Sequence, residues 1–474
     1  MKNIKTLVLP LLLMACLSGC DNNQSNGSKL SWHSGDKVYY DKIVFDTSDE
    51  EAPNPNIYLG VDAGVESVKV GRTEIEFGYN SKVLTLSASG LKNAGAGEKK
   101  ASVVFDNGKK QIVEIFSATK LIKTAQEFQD IGKDEASCQG YYMLANDIDC
   151  SSISNFEPIG RYATEEDPDN YYFHGVLDGN GYTIKNVTCS YSDSPIAPSG
   201  GESYPSNYDV YSGNPKFTGD SHKSGDNIGI FQVIGSSGVI RNIAFDNCKV
   251  HGRTIVGVIA GNIMGTAQNV LINSNCSVKM DTHFYDDDCN TGAAFGIVAG
   301  SGNVTNLISL TSQVSMVGIY QDYNDDYKTE TGNGWDHGAE PNSNPWWRFV
   351  SVDKELPDKS GLKLTDNNGS QSNGIYSVVG KCWGMVSNSI GAKFKVTPYD
   401  GEPRDVFFGH THTGINKPTS GEEDLGTIQN CAVYSVEDLK VASNYAGFDS
   451  NIWNLQNGSF PSLKKNLVSY DIAQ

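Results

Sequence analysis

From Lys29 to Phe116 apolar and polar residues alternate in short runs, as in Val38-Tyr39-Tyr40 to Phe45, Ser67-Val68-Lys69-Val70 and Val83-Leu84-Thr85-Leu86. A period of two marks strands with one buried face. Val103-Val104-Phe105 and Ile112-Val113-Glu114-Ile115 flank Asp106-Asn107-Gly108, and the Asn-Gly pair predicts a hairpin with a type I′ turn. These runs predict a small Ig-like β-sandwich over 29–117, serving as a stalk. The pattern then changes. Thr124 with Glu127 forms a capping box, Phe128 and Ile131 follow at helical spacing, and Gly132 stops the segment, which predicts one short helix.

Beyond it the chain repeats itself. One unit contains Phe173-His174-Gly175-Val176-Leu177-Asp178-Gly179-Asn180-Gly181-Tyr182-Thr183-Ile184, and a second runs Ile228-Gly229-Ile230-Phe231, then Gly238-Val239-Ile240-Arg241-Asn242-Ile243. A third has Val256 to Gly261, then Gly265 to Val270, and a fourth Phe295 to Gly300, then Gly302 to Leu307; degenerate copies follow at Ile375 to Ile390 and Val406 to Cys431. Each unit is a short apolar strand with glycine at its ends, a tight turn, and a second strand marked by asparagine before an aliphatic residue. Such a unit cannot bury its own face, so neighbours must stack. The prediction is all-β: a right-handed parallel β-helix over 118–474, with Asn242, Asn269 and Asn306 stacked at a corner and their amides bonded to one another. Two stretches, 190–226 and 318–373, do not repeat and read as insertions, which emerge on one side of a solenoid.

The units resemble the GLUG repeat family, named for a Gly-Leu-any-Gly strand motif and found in bacterial surface proteins, including segments of immunoglobulin-A peptidases. Leu177-Asp178-Gly179-Asn180-Gly181-Tyr182-Thr183-Ile184, Asn146-Asp147-Ile148-Asp149, Pro158-Ile159-Gly160, Trp453-Asn454 and Phe460-Pro461-Ser462-Leu463 carry the resemblance, which covers roughly Lys120 to Leu463. Ile230-Phe231-Gln232 and Val258-Ile259-Ala260 depart from the Leu-x-Gly pattern. The resemblance implies an architecture and a surface location, and no catalytic residue. Trp453 to Leu463 is expected to close the last coil.

The first residues change the picture of location. Met1-Lys2-Asn3-Ile4-Lys5 is basic, Leu7 to Leu17 is apolar apart from Pro10, and Leu17-Ser18-Gly19-Cys20 resembles the lipobox of bacterial lipoproteins. Residues 1–19 are therefore expected to be a signal peptide, Cys20 the lipidated residue that ties the protein to a membrane, and 20–28 a flexible tether. The expected place is the cell envelope, at the outer membrane and surface-exposed. A net charge of −19 argues against nucleic acid and anionic lipid surfaces as partners. Cys138, Cys150, Cys189, Cys248, Cys276, Cys289, Cys382 and Cys431 are an even set that permits disulfides in an exported protein, with Cys138–Cys150, the nearest pair in sequence, the expected bridge; several others fall at similar places in the repeats and suit buried free thiols.

Candidate chemistry concentrates in the second insertion. Trp335, Trp346, Trp347 and Arg348 suit a glycan, because indole rings stack on the apolar faces of sugars while Asp336, Glu340 and Asn344 can bond hydroxyls. The same tryptophans could instead pin the insertion to the solenoid. Asp281 with Asp286-Asp287-Asp288, and Asp322 with Asn324-Asp325-Asp326, could offer oxygen ligands to calcium but read as solvated acidic loops; the second begins like a calcium loop yet has Tyr327 where glycine is needed and Asn333 in place of the glutamate. His410-Thr411-His412 has metal-compatible spacing but no third ligand nearby. Arg241, Arg253 and Arg348 are isolated in sequence, and no catalytic or cofactor motif occurs. The expected function is adhesion or binding of a glycan or host surface ligand. The alternatives are a carbohydrate-active β-helix enzyme, lyase or hydrolase, and a structural envelope protein.

Overall fold

The structure is a computed structural model that describes residues 31–34, 37–40, 42–160, 171–190, 227–252, 255–283, 290–323, 347–352, 374–396, 404–411 and 426–465. Its alternating N-terminal part begins with an antiparallel hairpin, Ser31–Ser34 with Lys37–Tyr40, and then folds as two larger sheets. One has the order Lys42–Asp46, Lys110–Ala118, Gly97–Phe105, Val65–Val70, Thr73–Glu74, and the other the order Asn56–Tyr58, Val83–Leu86, Phe77–Asn80. Lys42–Asp46 runs parallel to Lys110–Ala118, and the remaining pairs are antiparallel. This is an Ig-like sandwich. Every second residue supplies its core, including Val68, Leu84, Leu86, Val103 and Phe105. The turn at Asp106–Gly108 is not type I′, which needs positive φ at two residues. Only Gly108 has it (79°), and the Phe105 N–H donates to the Lys109 carbonyl, so the loop has three residues and a glycine bulge.

After Lys110–Ala118 the chain passes directly into Lys120–Ile122, the first strand of a parallel β-helix. One complete coil runs Phe231–Ile234, Val239–Asp246, Lys249–Gly252 and Ile255–Val256, and Ala260–Ile263 begins the next in register with Phe231–Ile234. Stacking such coils builds four faces. Face 1 is a 12-stranded sheet containing Val239–Asp246, face 2 a 5-stranded sheet containing Lys249–Gly252, face 3 a 3-stranded sheet containing Ile255–Val256, and face 4 a 5-stranded sheet containing Phe231–Ile234. The core between them is columnar: Phe231, Ala260, Phe295 and Val379 stack in register, as do Ile240, Ala267, Val304 and Val386.

The repeated glycines and asparagines have separate physical causes. At Gly265 and Gly384 a Cβ would run into the carbonyl of the glycine one coil below, Gly238 and Gly302. The asparagines bend face 1. Asn242, Asn269, Asn306 and Asn388 all sit at positive φ (47–55°), a conformation asparagine tolerates better than most residues. Their amides form the expected ladder: each Nδ2 donates to the Oδ1 of the coil below, at 2.9 Å from Asn269 to Asn242, 3.0 Å from Asn306 to Asn269 and 2.6 Å from Asn388 to Asn306.

The N-terminal end of the core is covered by the helix Ala125–Gln129, whose Thr124–Glu127 capping box is formed as expected, and by Phe128, which stacks on Phe156 with centroids 5.2 Å apart. The C-terminal segment differs from expectation. Leu439, Tyr445, Phe448, Trp453 and Leu463 do not close the last coil; they lie across the outside of face 1 on Ala244, Leu271, Ile308, Ile390 and Ala392. The segment is a strap that returns to the first coils, where Lys465 pairs with Asp147 at 2.9 Å and Gly181 (φ 78°) lies against the Lys464 carbonyl without room for a Cβ. The cause is visible in face 1, whose second half is apolar on both sides and therefore requires an outer cover.

Cys138 and Cys150 are both buried and unpaired, contrary to the expected bridge. Cys138 sits in the helical cover, with its thiol donating to the Ile131 carbonyl at 3.6 Å, whereas Cys150 follows a strand of face 1. Burial pushes both thiols up to about 12.

Candidate functional site

Four successive coils pass from face 2 to face 3 at the same corner, over connections that differ in length. The chain leaves face 2 at Ser190 and next appears at Asn227–Ile228 on face 3, leaves at Gly252 and reappears at Ile255, leaves at His283 and reappears at Asn290, and leaves at Tyr323 before reappearing at Gly374. Both insertions read from the sequence belong to this corner. The second does not begin as a loop, because Gln313–Tyr323 continues face 2 through Gly318, and Trp347–Val352 returns antiparallel to it, with Asp322 opposite Arg348 and Tyr323 opposite Trp347. Trp347 and Arg348 are thus placed by backbone in a hairpin on face 2. Trp335 and Trp346 lie outside the described residues, as do Cys20, Arg253, Asp286 to Asp288, Asn324 to Asp326 and His412. Asp281 is in a face 2 strand opposite Val317, so the structure brings one residue of each acidic stretch to the same sheet. His410 stands on face 4 opposite Lys381, away from that corner. Among the described residues no group of three or more His, Cys, Asp or Glu is placed to hold a metal.

The outer surface of face 2 beside the corner is polar. Ser190, His251, Lys279 and Ser315 align in register across four coils, and Thr188, Lys249, Ser277 and Gln313 form a second row. Ser190 Oγ lies 3.4 Å from His251 Nδ1, and Gln313 Nε2 donates to the Ser274 carbonyl at 3.1 Å. These rows were missed in sequence. The signal was present as every second residue of Thr188-Cys189-Ser190, Lys249-Val250-His251 and Ser277-Val278-Lys279, whose alternate members Cys189, Val250 and Val278 face the core.

Arg241 is not isolated. Its Nε donates to Asp178 Oδ2 at 2.7 Å within face 1, and its Nη2 donates to Glu98 of the sandwich. Burial works against the guanidinium charge, but the two carboxylates outweigh it and raise the pKa. The same joint has an apolar side in which Val44, Phe116 and Ala118 of the sandwich pack on Leu121, Met143 and Val176 of the β-helix. Next to it lies an open cleft of about 200 Å³ lined by Lys42, Glu98, Lys100, Glu114, Phe116 and Arg241. Two of its cations are paired, Lys42 with Glu114 at 3.0 Å and Arg241 with Glu98, while Lys99 and Lys100 add positive charge to the lining. The sandwich is thereby docked on the β-helix.

Halomucin of Haloquadratum walsbyi (strain DSM 16790 / HBSQ001) is 26% identical over 204 residues, which are 42% of this chain and 2% of the length of Halomucin. No family model matches the chain. No solved structure matches it. Among the described residues no helix is long and apolar enough to cross a membrane.

Proposed function

We propose that the protein is a cell-envelope lipoprotein, held to the outer membrane by a lipid on Cys20 and exposed outward, that binds a glycan or host surface ligand at the corner between faces 2 and 3. The observation that carries the reading is that successive coils pass from face 2 to face 3 there over connections of very different length, beside an outer face that carries two polar rows. Loops on a rigid scaffold can vary without disturbing the core, which is the arrangement binding surfaces use. Trp335, Trp346, Trp347 and Arg348 belong to the longest of these excursions and supply the stacking rings and cation that a glycan would need. The partial likeness to Halomucin covers too little of that protein to name the ligand. The resemblance to GLUG repeats agrees with a surface role and implies no reaction.

A glycan array probed with the soluble fragment from Ser28 to Gln474 tests this. Wild type should bind a defined set of glycans, and Trp346→Ala or Trp347→Ala should each weaken binding by about 1–3 kcal/mol, the usual cost of losing a buried anchor. Thermal stability should barely change. A sharp fall in melting temperature, with no glycan bound by the parent, would make the tryptophans structural pins and refute the assignment.

A further inference from the structure

We infer that Cys248 and Cys276 form an inter-coil disulfide site, closed by oxidation while the chain folds. Each cysteine occupies the same place in successive coils, in Asn247-Cys248-Lys249-Val250 and Asn275-Cys276-Ser277-Val278. Lys249 is in register with Ser277 and Val250 with Val278, so the two cysteines are neighbours one coil apart. The Cys248 N–H donates to Cys276 Sγ at 3.4 Å, and one residue earlier the Asn247 N–H donates to Asn275 Oδ1 at 3.0 Å, which pins the two turns together. Neighbouring parallel strands lie about 4.8 Å apart, within the Cα separation that a disulfide spans. Both are free thiols in the structure, the Cys248 thiol donating to the Ile184 and Asp246 carbonyls, so the bridge is a state these two positions can take and not the one observed. Cys189, in the coil below, is in register with Val250 and so stands out of line with the pair.

The step is an ordinary thiol–disulfide exchange. One cysteine thiolate attacks the disulfide of an oxidant, a thiol–disulfide oxidoreductase or oxidised glutathione, and forms a mixed disulfide. The second thiolate displaces the oxidant's sulfur, so the Cys248–Cys276 bond forms as the oxidant's own S–S bond is lost. Two electrons and two protons leave with the oxidant as its two thiols. Both cysteines are fully buried in the folded protein, and burial raises the Cys248 pKa well above its ordinary value. The folded interior therefore gives an oxidant no access to either sulfur, and oxidation must precede closure of these coils. The bridge would then tie residues 28 apart and restrict the unfolded chain.

The protein extracted from its native membrane, with free thiols alkylated during lysis, should yield a peptide linking Cys248 to Cys276 that separates only after reduction. In Cys276→Ser, Cys248 should be alkylated in denaturant without prior reduction. Reductant should lower the melting temperature of wild type toward that of Cys276→Ser and leave Cys276→Ser unchanged. The inference is overturned if both thiols of wild type are alkylated without reduction, if either is linked to a different cysteine, or if reductant shifts both proteins equally. A failed glycan array would not bear on any of these outcomes.

Discussion

Replacing Asn269 by alanine should be among the most destabilising single changes in the β-helix, although no apolar volume is lost. Asn269 is 4% exposed, donates to Asn242 Oδ1 at 2.9 Å, and accepts from Asn306 Nδ2 at 3.0 Å. Alanine removes both bonds, each worth roughly 1 kcal/mol net, and strands the half-buried Asn242 carbonyl below and the half-buried Asn306 amide above at about 1–3 kcal/mol each. It also forces a β-carbon without a compensating side-chain bond into a left-handed conformation (φ 54°), at roughly 1 kcal/mol more. These terms overlap, and about 3–5 kcal/mol is the expected loss. Asn269→Gly separates them, since glycine relieves the backbone term and leaves the ladder broken; it should recover only about 1 kcal/mol of the loss. Urea unfolding followed by far-UV circular dichroism reads the difference, with amide exchange of Ile243, Val270 and Leu307 locating it, because a solenoid can lose neighbouring coils separately. If Asn269→Ala falls within about 0.5 kcal/mol of wild type, or Asn269→Gly restores full stability, the ladder is a by-product of backbone shape and the reasoning fails.

Cys20→Ala should abolish incorporation of radiolabelled palmitate and leave a precursor or a released protein, whereas equal labelling of mutant and wild type would refute the anchor. The tip of the strap should loosen in acid. Burial tends to raise the Asp147 pKa, but hydrogen bonds from Lys185 and Lys465 and from the Thr183 N–H outweigh it and hold the carboxyl below its usual range. A depressed carboxylate stabilises the folded state above its unfolded pKa, about 4, and loses that contribution as the pH falls through the lower folded value. Amide-exchange protection at Lys464, whose N–H donates to the Ile452 carbonyl at 2.8 Å, should therefore fall on acidification and already be low at neutral pH in Asp147→Asn. Protection that stays constant in both proteins would refute the link.

Much of the fold was legible because its constraints are local. A left-handed corner on every coil selects asparagine, close approach of stacked turns selects glycine, and period-two alternation selects a strand, so Asn242, Gly265 and Val68 each announce their environment. What was missed depends on contacts distant in sequence. Arg241 looked isolated because its sandwich partner Glu98 is 143 residues away. The strap residues Tyr445, Phe448 and Trp453 have the composition of a closing segment whether they cover an end or a side, and only the column Ala244, Leu271, Ile308 and Ile390 decides between them. That column was readable: in Ile243-Ala244-Phe245 and Val270-Leu271-Ile272 both strand faces are apolar, which an exposed outer surface would not tolerate. The Cys138–Cys150 bridge failed because sequence proximity says nothing about whether two buried thiols point at each other. For the candidate site, the sequence supplied the insertion and its residues Trp347 and Arg348. It could not supply the alignment of the two insertions at one corner, which follows only from the register of successive coils within faces 2 and 3.

The two asparagine ladders share a property that joins stability to the placing of the sandwich. In the first, amide donation runs one way, from Asn388 through Asn306, Asn269 and Asn242, and ends at Asp178 Oδ1, 3.2 Å from Asn242 Nδ2. In the second, Asn247 Nδ2 donates to Asn186 at 2.7 Å, and Asn186 Nδ2 donates to Asp149 Oδ1 at 2.9 Å. A column of amides pointing one way leaves its lowest N–H without an amide acceptor, and a carboxylate meets that need more strongly than another amide would. Asp149 does so at the surface. Asp178 is almost fully buried (1% exposed), so its charge needs compensation there, and Arg241 supplies it. Arg241 in turn holds Glu98, which makes the sandwich part of the ladder's own electrostatic termination. The joint thus sits where the repeat has to begin. Sliding the sandwich one coil along face 1 would leave Asp178 with an unshared cation and set Glu98 opposite Gln268, which occupies the place of Arg241 in the next coil and carries no charge.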